Sequence, residues 1–419
     1  MKAVVLAAGV GERMSPLTDT RSKMLIPVAG KPILEYVFES LRGADITDVT
    51  VVVGYQKKSI IDYFGDGRKF GMKLDYVEQP EPKGTAHAIS VTSMDDTFVT
   101  INGDVYCDAA SLVDTIKKHE DEGDILTMGA YKVKSASSYG VIRTKNGRVT
   151  GVIEKPKKTS NRLINAGVYI FEPEIYDAIR KTPYSERGEK EITTSIGILI
   201  ESGKPITVNR LDSWVHIGRP WDILQANEQA LRVQKPAIEC EIEPNAHVAE
   251  NVRIESGTQI RSGSYIEGPT YIGKDCDIGP NCYIRPYTSI SENVRIGNAV
   301  EVKNSVIMEG THAAHHSYIG DSIVGANCNF GSGTKVGNLR LDAGNIMMTL
   351  REGLADTGRR KLGAVLGDGV QTGINSMINP GVKLGQNSAI GPGVVLTRDL
   401  QANRCVLVEQ KEREEAWKK

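Results

Sequence analysis

The sequence predicts an α/β half followed by a repetitive parallel β-helix. Three observations lead there. The chain opens on a nearly all-apolar run, Met1–Ala8, that leads straight into Gly9 and Gly11, as a buried parallel strand feeding a glycine loop does. Strand-like and helix-like stretches then alternate to about residue 230. From Ile242 onward an aliphatic residue recurs every six positions.

Length and composition narrow the classes. At 419 residues the chain is too long for one core, so two or three domains are expected. The changes of character along it place a first domain at 1–228, a linker helix at 229–240, a β-helix at 241–400 and a charged tail at 401–419. With 51 basic against 52 acidic residues the net charge is −1, which offers no whole-chain field to nucleic acid or an anionic membrane. The apolar start is far too short to span a bilayer and runs into a glycine loop, so it reads as neither anchor nor signal peptide. Six cysteines are scattered without a C-x-x-C pair, the pattern of reduced thiols in a cytoplasmic protein. Abundant glycine beside only 6% aromatic residues fits a repetitive β architecture.

In chain order, Arg13 and Lys23 follow the glycine loop. Glycines after a buried strand let backbone N–H groups approach a phosphate, and Arg and Lys neutralise it. Ile33–Leu41 and Ala109–His119 have helical spacing, while Val49–Val53 and Phe98–Ile101 are short β-rich runs. In a doubly wound pattern ligands sit beyond the carboxyl ends of the parallel strands, and the motifs fall there. Gln79 brings an amide able to pair with the donor and acceptor edge of a pyrimidine, and Gly84-Thr85 lets backbone meet the base. Gly103-Asp104 closes the Phe98–Ile101 run with an acid. Ile223–Val233 reads as a helical bridge.

The six-residue ladder runs from Ile242 through Val302, with Met308 closing it. It is expected to break over Glu309–Ser317, to restart at Tyr318, Val324, Phe330 and Val336, and to break again over Gly337–Gly363. It resumes from Leu366 to Leu396. Loops thrown out of a solenoid are often functional. Arg285 and Lys303 are separated by one full coil of three hexapeptides, so they stack on one face. Two cations held together repel unless an anion sits between them, and a sugar phosphate is the natural candidate. His312, His315 and His316 are too irregularly spaced to favour a metal site. Gln410–Lys419 reads as a charged helix or frayed end.

The string Leu6-Ala7-Ala8-Gly9-x-Gly11-x-Arg13-Met14-x-Pro16-Leu17-Thr18, followed by Lys23-x-Leu25-x-Pro27, resembles the signature of sugar-1-phosphate nucleotidyltransferases. The resemblance implies that Leu6, Ala8, Gly9, Gly11, Gln79, Gly84, Thr85 and Gly103 bind the nucleotide, with Arg13 and Lys23 catalytic and Asp104 holding Mg²⁺. Gln79-x-x-x-x-Gly84-Thr85-Ala86 is similar to the form in enzymes that use UTP or dTTP. Tyr139-Gly140, Glu154-Lys155-Pro156 and Asn165-Ala166-Gly167 match the family's sugar-phosphate side, which implies that Gly140, Glu154, Lys155 and Asn165 line it. Two positions depart from the family pattern. His216 stands where many relatives carry an Asp that serves as second metal ligand, and Thr194 stands where many carry Asp. Asp212, Asp222 or a water is left as the substitute ligand.

In the second half, Arg285, Lys303, His315, Tyr318, Asn329 and Asn338 keep the order found in bacterial glucosamine-1-phosphate acetyltransferase domains, while Gly358–Gly363 looks more like archaeal versions. The resemblance implies a left-handed parallel β-helix, His315 as general base, the other five on the sugar substrate, and Ser332 at acetyl-CoA. The bacterial loop after the second Asn carries a lysine that Leu341–Leu350 lacks, leaving Arg351, Arg359, Arg360 or Lys361 for the phosphates of coenzyme A. The whole chain thus resembles the family of bifunctional N-acetylglucosamine-1-phosphate uridylyltransferases and glucosamine-1-phosphate N-acetyltransferases, archaeal type. That implies a Rossmann-like domain before the β-helix, Mg²⁺, UTP and acetyl-CoA as co-substrates, and a cytoplasmic homotrimer or higher homo-oligomer without nucleic-acid or membrane partners. Two rivals remain. One is a glucose-1-phosphate thymidylyl- or uridylyltransferase whose β-helix is an oligomerisation scaffold. The other is a non-catalytic translation-factor-like subunit, against which the intact Gly9, Gly11, Arg13, Lys23 and Asp104 argue.

Overall fold

The structure is a computed structural model that describes residues 1–416. The chain forms two compact units, one of residues 1–11, 21–26 and 31–218, the other of 12–20, 27–30 and 219 onward.

The first unit is built on a nine-stranded sheet in the order Lys73–Glu78, Asp48–Val53, Lys2–Ala7, Phe98–Asn102, Leu163–Phe171, Leu126–Lys132, Ile206–Arg210, Arg148–Ile153, Val141–Lys145. After the exposed Lys2 its opening strand is apolar because both faces are covered. Ala3, Val5 and Ala7 enter one core with Leu34, Val37, Phe38, Leu41 and Leu112, whereas Val4 enters the other with Ala86, Ile89, Ile192 and Ile196. The helix Ile33–Gly43 buries the stripe of the first core at the spacing its sequence announces. Ala109–Glu122 starts at Asp108, whose Oδ1 accepts the Ser111 N–H at 2.6 Å. Lys2–Ala7 runs parallel to Asp48–Val53 on one side and Phe98–Asn102 on the other. The chain first winds outward one way and then returns to the opposite side, so the loops after Ala7 and Asn102 flank the switch point where such sheets receive ligands.

The helical bridge is Pro220–Val233, and Ala237–Ile238 already pairs with Val252–Ile254. Of the linker helix expected at 229–240, only 229–233 is helical.

The second unit is a parallel coil. Each turn gives one short strand to each of three sheets, and the inward residues stack in register, as in Ile254 on Ile272 on Ile290. The expected break over Glu309–Ser317 is not a break. Ile290 pairs with Ile307, Ile296 with Ala313 and Val302 with Ile319, so the turn is one residue short and the chain stays in the ladder. His312–His315 is a strand, and the inward position is Ile319, fully buried, with Tyr318 turned outward. The next turn is short as well, since Ile307 pairs with Val324. Two five-residue steps, Val302 to Ile307 and Ile319 to Val324, thus shift the phase, and a fixed six-residue count reads that shift as a gap. The second break is real: after Lys335–Val336 the chain leaves the coil, forms the hairpin Met347–Leu350/Gly353–Asp356, and returns at Val365–Leu366. Many corners are closed by a residue with positive φ, most often Asn or Asp. Asn281 rests on Gly263, where a Cβ would lie 2.1 Å from its Oδ1. The ladder also outlasts its expected end, because Cys405–Val406 pairs with Ala389–Ile390. Residues 410–416 are not helical, and 417–419 of the tail lie outside the described residues. All six cysteines are free, and no described helix is long and apolar enough to cross a membrane.

Candidate functional site

At the carboxyl end of Phe98–Asn102 the chain turns through Gly103, whose N–H donates to Leu6 O at 2.9 Å, into Asp104. The next strand, Val105–Cys107, pairs antiparallel with Trp214–His216, and the Ile217 N–H donates to Asp104 O at 3.0 Å. This ribbon carries His216 to the acid: its Nε2 lies 3.4 Å from Asp104 Oδ2. Lys23 Nζ lies 2.6 Å from the same oxygen. Lys23 is set by the short helix Lys23–Leu25, where Ser22 Oγ accepts the Met24 N–H. Burial alone would raise the Asp104 carboxyl, but the Lys23 ammonium and His216 outweigh it and hold it well below the usual range. One carboxylate oxygen thus anchors two of the expected residues.

Among the described residues no cluster of three His, Cys, Asp or Glu side chains is placed to hold a metal. Asp104 with His216 beside it still suits a hard cation that takes one protein carboxylate and completes its shell with phosphate and water. Asp222, a candidate substitute ligand, caps the helix Pro220–Val233 by accepting the Arg219 N–H at 2.8 Å. Gly9 is exposed and Gly11 has φ 74°, both in the first unit, whereas Arg13 lies on Glu12–Met14, in a segment of the second. Ala8 O accepts the Tyr55 N–H at 3.3 Å.

Gln79 is buried beside the turn Gly84-Thr85. Gly84 has φ 98°, and a Cβ there would fall 2.4 Å from Lys190 O, so only glycine fits. Thr85 Oγ1 accepts the Ile192 N–H at 3.1 Å. The Gln79 amide nitrogen donates to Gly84 O at 3.1 Å and stands 2.9 Å from His87 Nδ1. The amide expected to offer both edges to a pyrimidine therefore has its donor side engaged inside the protein.

The expected sugar residues converge in the same unit. Asn165 N–H donates to Gly140 O at 2.8 Å, and a Cβ on Gly140 would fall 3.1 Å from Glu154 Oε2. Thr193 Oγ1 donates to Glu154 Oε2 at 3.2 Å, and Asn165 Nδ2 donates to Tyr169 Oη at 2.6 Å. Lys155 adopts a φ of 41°, uncommon without glycine, with Nζ 3.6 Å from Glu154. Glu154, Thr193 and Thr194 line a cavity of about 300 Å³. Arg187, which the motif reading missed, bridges Glu191 at 2.7 Å and reaches Glu154 at 3.6 Å. Its signal was an arginine just ahead of the Glu191-Ile192-Thr193 run.

On the coil, Arg285 and Lys303 do stack, each with its own carboxylate: Glu301 at 2.9 Å from Arg285 and Asp321 at 2.8 Å from Lys303. Asp321 is the residue the sequence did not announce. It is 2% exposed and also accepts from Asn304 Nδ2 at 2.8 Å and Asn338 Nδ2 at 2.5 Å. Asn338 Nδ2 donates further to Tyr318 Oη at 3.0 Å, and burial together with the Asp321 charge pushes the Tyr318 phenol up. The structure thus gathers Lys303, Tyr318 and Asn338 around one acid. His315 ends the strand His312–His315, exposed and paired with Asn298. Asn329 is not in the cluster; it stands on another sheet between His312 and Gln371. Ser332 lies in the turn beyond it, its carbonyl taking the Asn375 N–H. A cavity of about 530 Å³ beside Asp321 is lined by Arg359, Arg360 and Lys361, three of the four cations set aside for coenzyme A. The fourth, Arg351, pairs with Glu12.

A family model described as nucleotidyl transferase matches residues 2–233, a GMPPB C-terminal domain model matches 266–379, and six bacterial transferase hexapeptide repeats match 363–398. The chain is 42% identical over 379 residues to the bifunctional protein GlmU of Methanococcus maripaludis strain C7, covering 89% of each chain. Over 407 residues it is 39% identical to the bifunctional protein GlmU of Methanocaldococcus jannaschii, covering 96% of each. Over 378 residues it is 40% identical to the bifunctional sugar-1-phosphate nucleotidylyltransferase/acetyltransferase of Sulfurisphaera tokodaii, covering 90% of this chain and 92% of that one. A solved structure of a putative glucose-1-phosphate thymidylyltransferase from Bacillus anthracis, in complex with a sucrose, covers 56% of this chain and 96% of its own, with a TM-score of 0.52 and 25% identity.

Proposed function

The chain belongs to the nucleotidyl transferase family, as a bifunctional sugar-1-phosphate nucleotidylyltransferase/acetyltransferase, and from that premise we propose how its residues divide the work. It is an enzyme with uridylyltransferase and acetyltransferase activities. The substrates we assign are glucosamine-1-phosphate and acetyl-CoA on the coil, then N-acetylglucosamine-1-phosphate and UTP on the α/β unit.

On the coil, His315 takes a proton from the substrate amine as its nitrogen attacks the thioester carbonyl. The C–N bond forms, the C–S bond breaks, and the proton leaves with the coenzyme A thiol. Arg285 and Lys303 hold the sugar phosphate, Tyr318 and Asn338 orient the ring, and Asp321 fixes Lys303 and Asn338 from behind. Asn329 also contacts the sugar, and Ser332 belongs to the acetyl-CoA side. Arg359, Arg360 and Lys361 suit the phosphates of coenzyme A.

On the α/β unit, the sugar phosphate oxygen attacks the α-phosphorus of UTP in line and pyrophosphate leaves. Leu6, Ala8, Gly9, Gly11 and Gly103 form the backbone of the nucleotide loop and Lys23 offsets the developing charge, a role the motif also assigns to Arg13 of the second unit. Gln79, Gly84 and Thr85 meet the base, while Gly140, Glu154, Lys155 and Asn165 hold the sugar phosphate. Mg²⁺, when bound by Asp104, supplies further neutralisation of the phosphates. We read the coil as left-handed and the protein as a cytoplasmic homotrimer; its six-residue period and flat sheets support side-by-side packing of coils.

The observation that carries the bifunctional reading is the second polar cluster, Asp321 with Lys303, Tyr318 and Asn338, built on a coil that a mere scaffold would leave plain. The test supplies glucosamine-1-phosphate, acetyl-CoA and UTP together. UDP-N-acetylglucosamine should form with one thiol and one pyrophosphate released per turnover. Pyrophosphate release without acetyl-CoA consumption would leave nucleotidyl transfer alone.

A further inference from the structure

The Gln79 amide is held in one orientation by a single helix. Its nitrogen donates to Gly84 O at 3.1 Å, and a carbonyl oxygen can only accept, so the group pointing there is the NH₂. The remaining N–H faces His87 Nδ1 at 2.9 Å. Gly84 O also takes the Ala88 N–H at 3.0 Å in the first turn of Thr85–Ser90, the helix that carries His87. Carbonyl and imidazole therefore move as one body. Both amide protons are spent, and Oε1 is the only part of the amide left for a ligand. An imidazole whose Nδ1 accepts is neutral, with its proton on Nε2. Burial, followed by the charges of Lys83 and Lys190, shifts His87 below its usual value and favours that form.

We propose that His87 is a specificity-positioning residue: by accepting the second Gln79 amide proton it fixes Oε1 outward, so the nucleotide pocket selects bases that present an N–H to it. The inference rests on Gln79 reading the base of the nucleotide. Uracil and thymine carry N3–H and match an acceptor. Cytosine presents a lone pair at N3, and lone pair would meet lone pair. The amide cannot adapt by flipping. A flip would set Oε1 against Gly84 O, an acceptor in every state, and against the Nδ1 lone pair of the Nε2–H tautomer, losing both amide donations.

The test compares kcat/KM for UTP and CTP on the full chain with sugar phosphate saturating. Wild type should prefer UTP by about 10²-fold or more, since a site built to accept an N–H rejects an analogue lacking it. His87→Ala should lower that ratio by about tenfold, the scale of one lost hydrogen-bond preference. His87→Asn, whose Oδ1 replaces Nδ1 as acceptor, should restore it. The ratio of two substrates on one preparation is independent of the active fraction, so partial misfolding does not imitate the effect. An unchanged ratio in His87→Ala, or an asparagine variant as indiscriminate as the alanine one, overturns the proposal. Gln79→Leu isolates the premise. If it leaves the ratio intact, Gln79 does not read the base; if it collapses the ratio while His87→Ala does not, only the lock fails.

Discussion

Lys23 and His216 lean on the same oxygen of Asp104, so the charges at the switch point are balanced within one small cluster. Lys23→Ala removes a preorganised cation and should cost uridylyl transfer roughly 10²-fold or more. Acetyl transfer, whose residues belong to the other unit, should stay within twofold, and equal loss of both would signal general damage. His216→Asp replaces a nitrogen with a harder oxygen donor. Mn²⁺ binding followed by water-proton relaxation should tighten, and the Mg²⁺ concentration for half-maximal rate should fall; unchanged binding would exclude position 216 from the metal. On the coil, His315→Ala should lower acetyl transfer by about 10²–10⁴-fold, as removal of a general base does. The control is His316→Asn, since His316 occupies a corner with φ 44° that Asn tolerates. If the control is the dead variant, the base has been assigned one residue too early.

At the scale of elements, the turn after Gln79 is the least forgiving piece of the α/β unit. Gly84→Ala meets both a positive φ and a backbone oxygen at 2.4 Å, so the Thr85–Ser90 helix must shift. The strain is of order 1–3 kcal/mol, and kcat/KM for UTP should fall several-fold more than thermal stability alone explains. A variant with wild-type KM for UTP would show that this helix does not touch the nucleotide. The opening strand, its glycine loop and the acid at Asp104 were legible in the sequence because each follows from local pattern: apolar run, then glycine, then charge. The coil was legible for the same reason, as far as a fixed period could carry it. The one-residue-short turns at Ile290–Ile307 and Ile307–Val324 were not, because a deletion in a stack changes phase without changing pairing. Asp321 also stayed hidden. It reads as a corner acid in Gly320-Asp321-Ser322, and only the fold brings Lys303, Asn304 and Asn338 onto it from one turn before and one after. His87 likewise carries no signal in the sequence, because only the fold sets its ring against Gln79, eight positions earlier.

For the whole molecule, the expected assembly is a trimer made by the coil. Sedimentation equilibrium of the full chain at micromolar concentration should give three times the 45.6 kDa chain mass, and a clean monomer would sink the idea. The coil has a further consequence at its far end. Two of its last described rungs, Val395–Leu396 and Cys405–Val406, have no following strand in their sheets, while Lys383–Leu384 is met by a parallel bridge from Leu400. A stack in which every rung is shaped to receive another is a template for growth where it stops. The residues that come next are two exposed aliphatics, Leu407 and Val408, and then the charged run from Glu409 onward. With four acids (Glu409, Glu412, Glu414, Glu415) against four bases (Lys411, Arg413, Lys418, Lys419) that run carries no net side-chain charge, so it would guard an open rung by hydrated, strand-averse side chains rather than by repulsion. Removing residues 409–419 should let particles join end to end into short filaments, visible by light scattering that rises with protein concentration and by negative-stain microscopy. Discrete particles after the removal would relieve the tail of that duty; filaments would mean that these charged residues keep the open rungs from pairing.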